Sequence, residues 1–291
     1  MLRSMYSGIS GMKGFQTKLD TIGNNIANVN TYGYKKGRTT FQAMMSQTIS
    51  GAQGPTNFSG GKNPSQVGLG SNVGAVDTIH TQGNRQSTDR PLDLAIEGSG
   101  MFVVAEGEDT STNILESKLS FTRAGNFYLD DNGDVVNSNG QYLVADTFDE
   151  DGNSLGEGRI NIPDTAQSFS IQSNGTVTYV ENGKAVNAAQ IRLANFSNPD
   201  GLEKAGGNMY TLTDNAGLSV QNEQTGLALT DLEIPGQGGV GQTIAGALEM
   251  SNVDLSEEFT EMITAQRGFQ ANTRIITTSD EILQELVNLK R

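Results

Sequence analysis

The sequence predicts an α+β fold. Long N- and C-terminal amphipathic helices pair as an inner coiled-coil-like domain, and a β-rich outer domain, Greek-key or barrel-like, lies between them. Three observations predict it. Apolar residues at both ends recur at steps of three and four. The middle has short β-branched runs punctuated by Asn-Gly, the strongest short hairpin signal. Composition agrees: of 291 residues 36 are glycine, none is tryptophan and 35% are hydrophobic, which suits turn-rich β structure better than a large aliphatic core.

In the N-terminal segment Leu2, Met5, Ile9, Met12, Leu19, Ile22, Ile26 and Val29 form a narrow seam, with one break near Phe15. Gly8, Gly11 and Gly14 along it have two readings. They weaken the helix by about 1 kcal/mol each against alanine, or they form a smooth strip at spacing three that lets a neighbouring helix approach closely. Asn24, Asn25, Asn28 and Asn30 then fall within seven residues, although asparagine competes for backbone hydrogen bonds inside a helix. Asn24, Asn25 and Asn28 leave the seam of Ile22, Ile26 and Val29 intact, and the asparagines with Gly23 make the helix marginal. Their amides are expected to bond backbone or neighbouring subunits. Asn30, Thr31 and Gly33 read as the stop, where the chain turns outward.

The C-terminal helix is the stronger one. Asp254 is expected to cap it, with Glu257 as the reciprocal partner three residues on. Leu255, Phe259, Met262, Ile263, Phe269, Ile275, Ile276, Ile282, Leu283, Leu286 and Leu289 give it a broad apolar face. Neither end holds alone. The eight N-terminal seam residues gain on the order of 12–24 kcal/mol when fully buried, against at least ~30 kcal/mol of backbone entropy for roughly thirty residues. The seams therefore need partners: each other, other subunits, or both.

Between the ends, runs such as VGAVDTIHT (73–81), LDLAIEG (92–98), MFVVAEG (101–107), QYLVADTF (141–148) and IRLANF (191–196) read as strands. Two similar hairpins begin at Phe127 and Phe169, each with an Asn-Gly five residues on. The expected organisation is an inner helical domain of residues 1–34 with 250–291, a connecting segment at 35–72 and an outer β-rich domain at 73–249.

Net charge is −14 but uneven: +5 over residues 1–42, −16 over 43–249 and −3 over 250–291. The acidic bulk argues against nucleic acid as a partner. No apolar run approaches the ~18 residues of a membrane span, and the start lacks the apolar stretch of a cleaved signal peptide. There is no cysteine, and His80 is the single histidine, in a strand-like pattern. Thiolate and histidine metal sites are thereby excluded, and nothing around His80 resembles a nucleophile elbow. The turns DDNGD (130–134) and DEDGN (149–153) lack the full ligand register of a calcium loop and read as plain turns. No enzyme activity, metal or cofactor is expected.

Three blocks carry a resemblance. The first is SGISGM (7–12) followed by LDTIGNNIANVNTYGYKKGR (19–38). The second is TDRPLDLAIEGSGMFVV (88–104) followed by FTRAGNFYLDDNGDVVNSNG (121–140). The third is GALEMSNVDLSEEFTEMITAQRGFQANTRIITTSDEILQELVNL (246–289). In order and together they cover more than half of the chain, and they resemble the rod and hook family of bacterial flagellar axial proteins. Asn24, Asn25, Asn28, Thr31 and Gly33 belong to the matching signature. Leu255, Phe259, Met262, Ile263, Phe269, Ile276, Leu283 and Leu286 fall in the matching C-terminal helix. Residues 107–118 look like a local insertion.

The resemblance implies a structural subunit that self-assembles into a helical tube and transmits motor torque from rod to filament. The wording IGNNIANVNTYGYK and SNVDLSEEFTEMITAQRGFQ is most similar to the short hook proteins of Gram-positive bacteria. Length keeps the distal rod subunit as the alternative. Implied partners are further copies, rod and hook-filament junction proteins, a hook cap scaffold and the flagellar export apparatus. Implied localisation is the extracellular hook and basal-body region, reached without a cleaved signal peptide. From another class, a secreted β-rich binding module or adhesin remains a competing reading. The terminal seams discriminate, since a monomeric binder has no use for some 70 unsatisfied helical residues.

Overall fold

A computed structural model describes residues 2–56, 60–107, 118–149, 153–181, 183–217 and 231–289. The chain divides into two compact units. The first comprises Met1–Ala27, Lys36–Ile79 and Val253–Arg291; the second comprises Asn28–Lys35 and His80–Asn252.

The first unit is built on two long helices, α1 (Leu2–Ala27) and α2 (Leu255–Leu289). The Asp254 carboxylate caps α2 by accepting the Ser256 N–H at 2.8 Å, and Glu257 and Glu258 in the first turn suit the positive end of the helix dipole. Glu257 does not close a capping box. Its carboxylate takes the Lys36 ammonium at 2.7 Å instead. The two helices pack on each other through small residues. A Cβ on Gly8 would lie 3.3 Å from Ile276, and one on Gly11 would lie 2.9 Å from the Asn272 side chain. Close approach is thus the outcome for these two glycines. The unit also holds strands. Gly37–Ala43 pairs antiparallel with Ser71–Thr78, and Ser46–Ser50 pairs antiparallel with Ser65–Gly68. Gly37–Ala43, Ser46–Ser50 and Ser65–Gly68 are polar and mostly exposed, so no apolar alternation marks them, whereas Ser71–Thr78 overlaps the run VGAVDTIHT that reads as a strand in the sequence.

The second unit centres on an open, all-antiparallel sheet. Its main path runs Ser168–Ile171, Thr176–Glu181, Lys184–Ile191, Tyr142–Phe148, Met101–Glu106, Lys118–Thr122, Met209–Thr211, Glu203–Gly206. The central strand, Met101–Glu106, is buried on both faces, as its unbroken apolar run MFVVA implies. Phe102 and Val104 join one core with Phe127, Leu143 and Ile191; Met101, Val103 and Ala105 join another with Phe121, Phe196 and Tyr210. Edge-to-face ring pairs anchor each core, Phe102–Phe127 at 5.4 Å and Phe121–Phe196 at 4.9 Å. Both hairpins read from the sequence form, at Tyr128–Leu129 with Val135–Val136 and at Ser168–Ile171 with Thr176–Glu181.

The expected fold class needs correction. Among the described residues the β-rich part is not a barrel, because the two ends of the sheet path do not pair with each other, and it is not a Greek key, because no three consecutive paired strands have the next strand returning beside the first. Asn-Gly turns join strands that are next to each other in sequence, which extends a sheet by hairpins rather than closing it. The helical part is not a two-helix coiled coil with a continuous apolar seam either. Glycine and Asn272 occupy its close contacts, and much of the apolar surface of α2 is left exposed. Residues 108–117 and 150–152, the site of the local insertion and of one acidic turn, lie outside the described residues.

Candidate assembly surfaces and the strap

Of the N-terminal seam, only Ile22 is buried, at 3% exposure. Met5, Met12, Leu19, Ile26 and Val29 are half-buried, and Ile9 is exposed; Leu2 opens α1, but its side chain lies outside the described residues. On α2, Met262, Phe269, Ile276 and Leu283 are half-buried. Leu255, Phe259, Ile263 and Leu286 are exposed at 39, 50, 52 and 48%. Ile276 meets α1 at Gly8, so one predicted seam residue is used within the subunit. The structure leaves Phe259, Ile263 and Leu286 open to water, with Ile275 and Ile282 exposed on the same helix. These are large apolar groups, not scattered alanines.

The asparagines divide by role. Asn25 is buried at 1% and acts like a piece of backbone. Its Oδ1 accepts the Gly37 N–H at 2.9 Å, and its Nδ2 donates to the Gly37 carbonyl at 2.9 Å and to Glu258 Oε2 at 3.2 Å. One side chain thereby ties α1 to the first strand and to α2. Burial pushes the Glu258 carboxyl up, while the Asn25 hydrogen bond and Lys36 pull it back down. Two ion pairs flank this bracket, Lys18–Glu261 at 3.1 Å and Lys36–Glu257 at 2.7 Å. The opposite charges of the two chain ends are therefore placed together within one unit. Asn24 is exposed on the same helix.

Asn28, Thr31 and Gly33 belong to the second unit, in the strap Asn28–Lys35. The Thr31 hydroxyl donates to Asn28 Oδ1 at 3.1 Å, and the Thr31 N–H donates to the Asn28 carbonyl at 3.1 Å. This local turn ends the helical run. Gly33 has φ +68°, and a Cβ there would sit 2.5 Å from the Ala124 nitrogen. Its N–H donates to the Glu249 carbonyl at 2.8 Å. Only glycine meets both demands. Asn208 holds the strap by donating to the Tyr32 carbonyl at 2.9 Å, and Lys204 lies 5.4 Å over the Tyr34 ring.

Beside the strap sits a charge cluster that periodicity does not reveal. Lys35, Glu249 and Arg123 are 1, 1 and 6% exposed. Lys35 Nζ meets Glu249 Oε1 at 2.5 Å, and Arg123 Nη1 meets Glu249 Oε2 at 3.1 Å. Burial drives the lysine and the arginine below their ordinary ranges, and the shared carboxylate pulls both back up. The available clues were an acid inside the apolar run ALE (247–249) and a lysine in the quoted YKKGR. His80 lies nearby, its ring 5.5 Å from Tyr210. Burial pushes it down to about 4, opposed by Asp200 and reinforced by Lys35, Lys204 and Arg123. It follows the Ser71–Thr78 strand rather than sitting in it. Among the described residues no group of histidine, cysteine, aspartate or glutamate has metal-holding geometry, and no helix is long and apolar enough to cross a membrane.

The site residues thus fall into two groups: large apolar side chains left open on α2, and the strap Asn28–Lys35, buried at Gly33, Tyr34 and Lys35. Comparison with known proteins specifies the class. Residues 5–35 match the family described as "Flagella basal body rod protein", 95–179 match "Flagellar hook protein FlgE/F/G D1 domain", and 244–289 match "Flagellar basal body rod FlgEFG protein C-terminal". The chain is 52% identical over 292 residues to the "Flagellar basal-body rod protein FlgG" of Bacillus subtilis (strain 168), covering 100% of both. It is 32% identical over 452 aligned positions to the "Flagellar hook protein FlgE" of Borreliella burgdorferi, again covering 100% of both. Identity to the "Flagellar basal-body rod protein FlgG" of Caulobacter vibrioides is 34% over 293 residues, with 99% of this chain and 100% of the relative covered. The chain belongs to the flagellar rod and hook protein family, a family of structural flagellar components.

Proposed function

We propose that this chain is a self-polymerising structural subunit of the flagellar axial tube, with α1 and α2 forming the contacts between copies. The observation that carries it is the set of large apolar side chains left half open on α2: Phe259, Ile263, Ile282 and Leu286. Covering the open half of these four against other copies gains roughly 3–6 kcal/mol per subunit. Head-to-tail contacts that do not close a ring extend as a helical polymer. The second unit is largely polar and acidic outside its cores. Its contacts between copies are then of the wet, rim-like kind that rearrange at low cost. Such a tube transmits torque.

Within the tube the rod is the first reading. Relatives named as rod proteins align with this chain over about its own length, whereas relatives named as hook proteins align over 452 and 483 positions. The hook is the second reading, favoured by the segments IGNNIANVNTYGYK and SNVDLSEEFTEMITAQRGFQ. Partners are further copies and the neighbouring axial proteins, reached through flagellar export. Electron cryotomography of cells carrying a tagged copy tests both. Label confined to the envelope supports the rod, and label along the extracellular bend supports the hook. Label absent from the flagellum would overturn the axial reading.

A further inference from the structure

The chain passes between its two units four times, at 27/28, 35/36, 79/80 and 252/253. Segments of the second unit beside three of these passages converge on one carboxylate. Glu249 Oε1 accepts both the Lys35 ammonium and the Gly83 N–H, the latter at 2.9 Å. Lys35 Nζ also donates to the Thr81 carbonyl at 2.8 Å. Backbone bonds lace the same segments together: Gly33 N–H to Glu249 O at 2.8 Å, Met250 N–H to Asn84 O at 2.8 Å, and Asn252 N–H to Tyr34 O at 3.4 Å. The Asn252 amide adds a bond to the Thr81 hydroxyl at 3.0 Å. Arg123 carries the cluster into the sheet unit. It follows the Lys118–Thr122 strand, bonds Glu249 through Nη1 and donates through Nη2 to the Gly98 carbonyl at 2.6 Å.

A buried ionic group of this kind is not needed for stability alone, since a well-packed apolar replacement is often neutral or better. What charge adds is direction: each oxygen and each N–H has an assigned partner, so the segments cannot slide past one another. We propose that Lys35, Glu249 and Arg123 form a mechanical clamp. It gathers the segments at 33–35, 81–84 and 249–252, so that force arriving along any one of them is shared with the others and passed through Arg123 to the sheet. The mechanical role rests on the axial reading; the clamp itself does not.

Amide hydrogen exchange on the full-length monomer tests the clamp without polymerisation. In Glu249→Gln, the amides of Gly33, Gly83 and Met250 are expected to exchange about tenfold faster or more, while those of Val103 and Leu143 in the core strands stay unchanged. Lys35→Met is expected to give the same pattern and serves if Glu249→Gln does not fold. Asp146→Asn is the control: it breaks another buried ion pair of the same unit, Arg192–Asp146 at 2.7 Å, and is expected to leave the three segments slow. Unchanged exchange at Gly33 and Gly83, or an equal rise at Val103 and Leu143, would overturn the clamp. Such a result leaves the polymer reading standing, and failure of the chain to polymerise would leave the clamp standing.

Discussion

Replacing Asn25 by alanine is the sharpest perturbation of the first unit. On helix propensity alone the change favours α1 by up to about 0.7 kcal/mol. The structure reverses that sign. Asn25 makes two neutral hydrogen bonds to the Gly37 backbone and one to the Glu258 carboxylate. Neutral bonds contribute about 0.5–1.5 kcal/mol each and a bond to a charged group about 1.5–3, and the stranded Gly37 and Glu258 groups keep part of their desolvation cost. After the propensity gain, a net loss of about 2–5 kcal/mol is expected. The assay is urea unfolding of the monomer followed by helical circular dichroism at 222 nm, since the two helices dominate that signal. Gln16→Ala, on the exposed side of the same helix, is expected to change little. A double-mutant cycle with Glu258→Gln isolates the side-chain pair. An Asn25→Ala midpoint equal to wild type, or shifted upward, would refute the bracket and restore the idea that these asparagines merely weaken α1.

Three further outcomes follow from the same geometry. Gly11→Val is expected to push α1 off Asn272 and cost about 1–3 kcal/mol, whereas Gly23→Ala, with nothing within 4 Å of the new Cβ, is expected to gain up to about 1 kcal/mol; thermal melts of the two variants check the contrast. Gly33→Ala combines a left-handed backbone with a 2.5 Å clash at Ala124 and is expected to free the strap, which limited proteolysis within residues 28–35 detects. His80 is neutral in the fold down to about 4 but charges near 6.5 in the unfolded chain, so the folded state binds fewer protons between those values. Its contribution is fully present above pH 6.5 and is lost as pH falls towards 4. The loss is about 1–2 kcal/mol after allowing for partial exposure. His80→Gln is expected to flatten that part of the stability–pH curve.

The sequence is most informative where periodicity and packing coincide. Both helices announce themselves by apolar spacing, and the doubly buried strand Met101–Glu106 by its unbroken apolar run. The strands Gly37–Ala43, Ser46–Ser50 and Ser65–Gly68 carry no such signal: the last two are exposed throughout, and the first meets α1 through Gly37, Thr39 and Phe41 rather than through an alternating apolar face. They read as a connecting segment for that reason. Sheet closure was also illegible: hairpin turns fix neighbours but say nothing about whether the outermost strands meet. The asparagines stand out in the sequence as misfits in a helix, but their partners do not: Asn25 serves its own chain, bonding Gly37 twelve residues away. Lys35 and Glu249 lie 214 positions apart, so no local pattern joins them. The apolar face of α2 is legible in its spacing, but its exposure is not, since apolar spacing looks the same whether a face is covered or left open.

That face carries the central claim. Sedimentation velocity of the full-length protein over a rising concentration series, comparing wild type with Phe259→Glu/Ile263→Glu, tests it most directly. Both side chains are half exposed in the single chain, so the double variant is expected to keep the helical signal of the folded monomer. Wild type is expected to grow into large, concentration-dependent polymers, and the variant to remain monomeric at every concentration. A variant that polymerises like wild type would contradict assembly through α2.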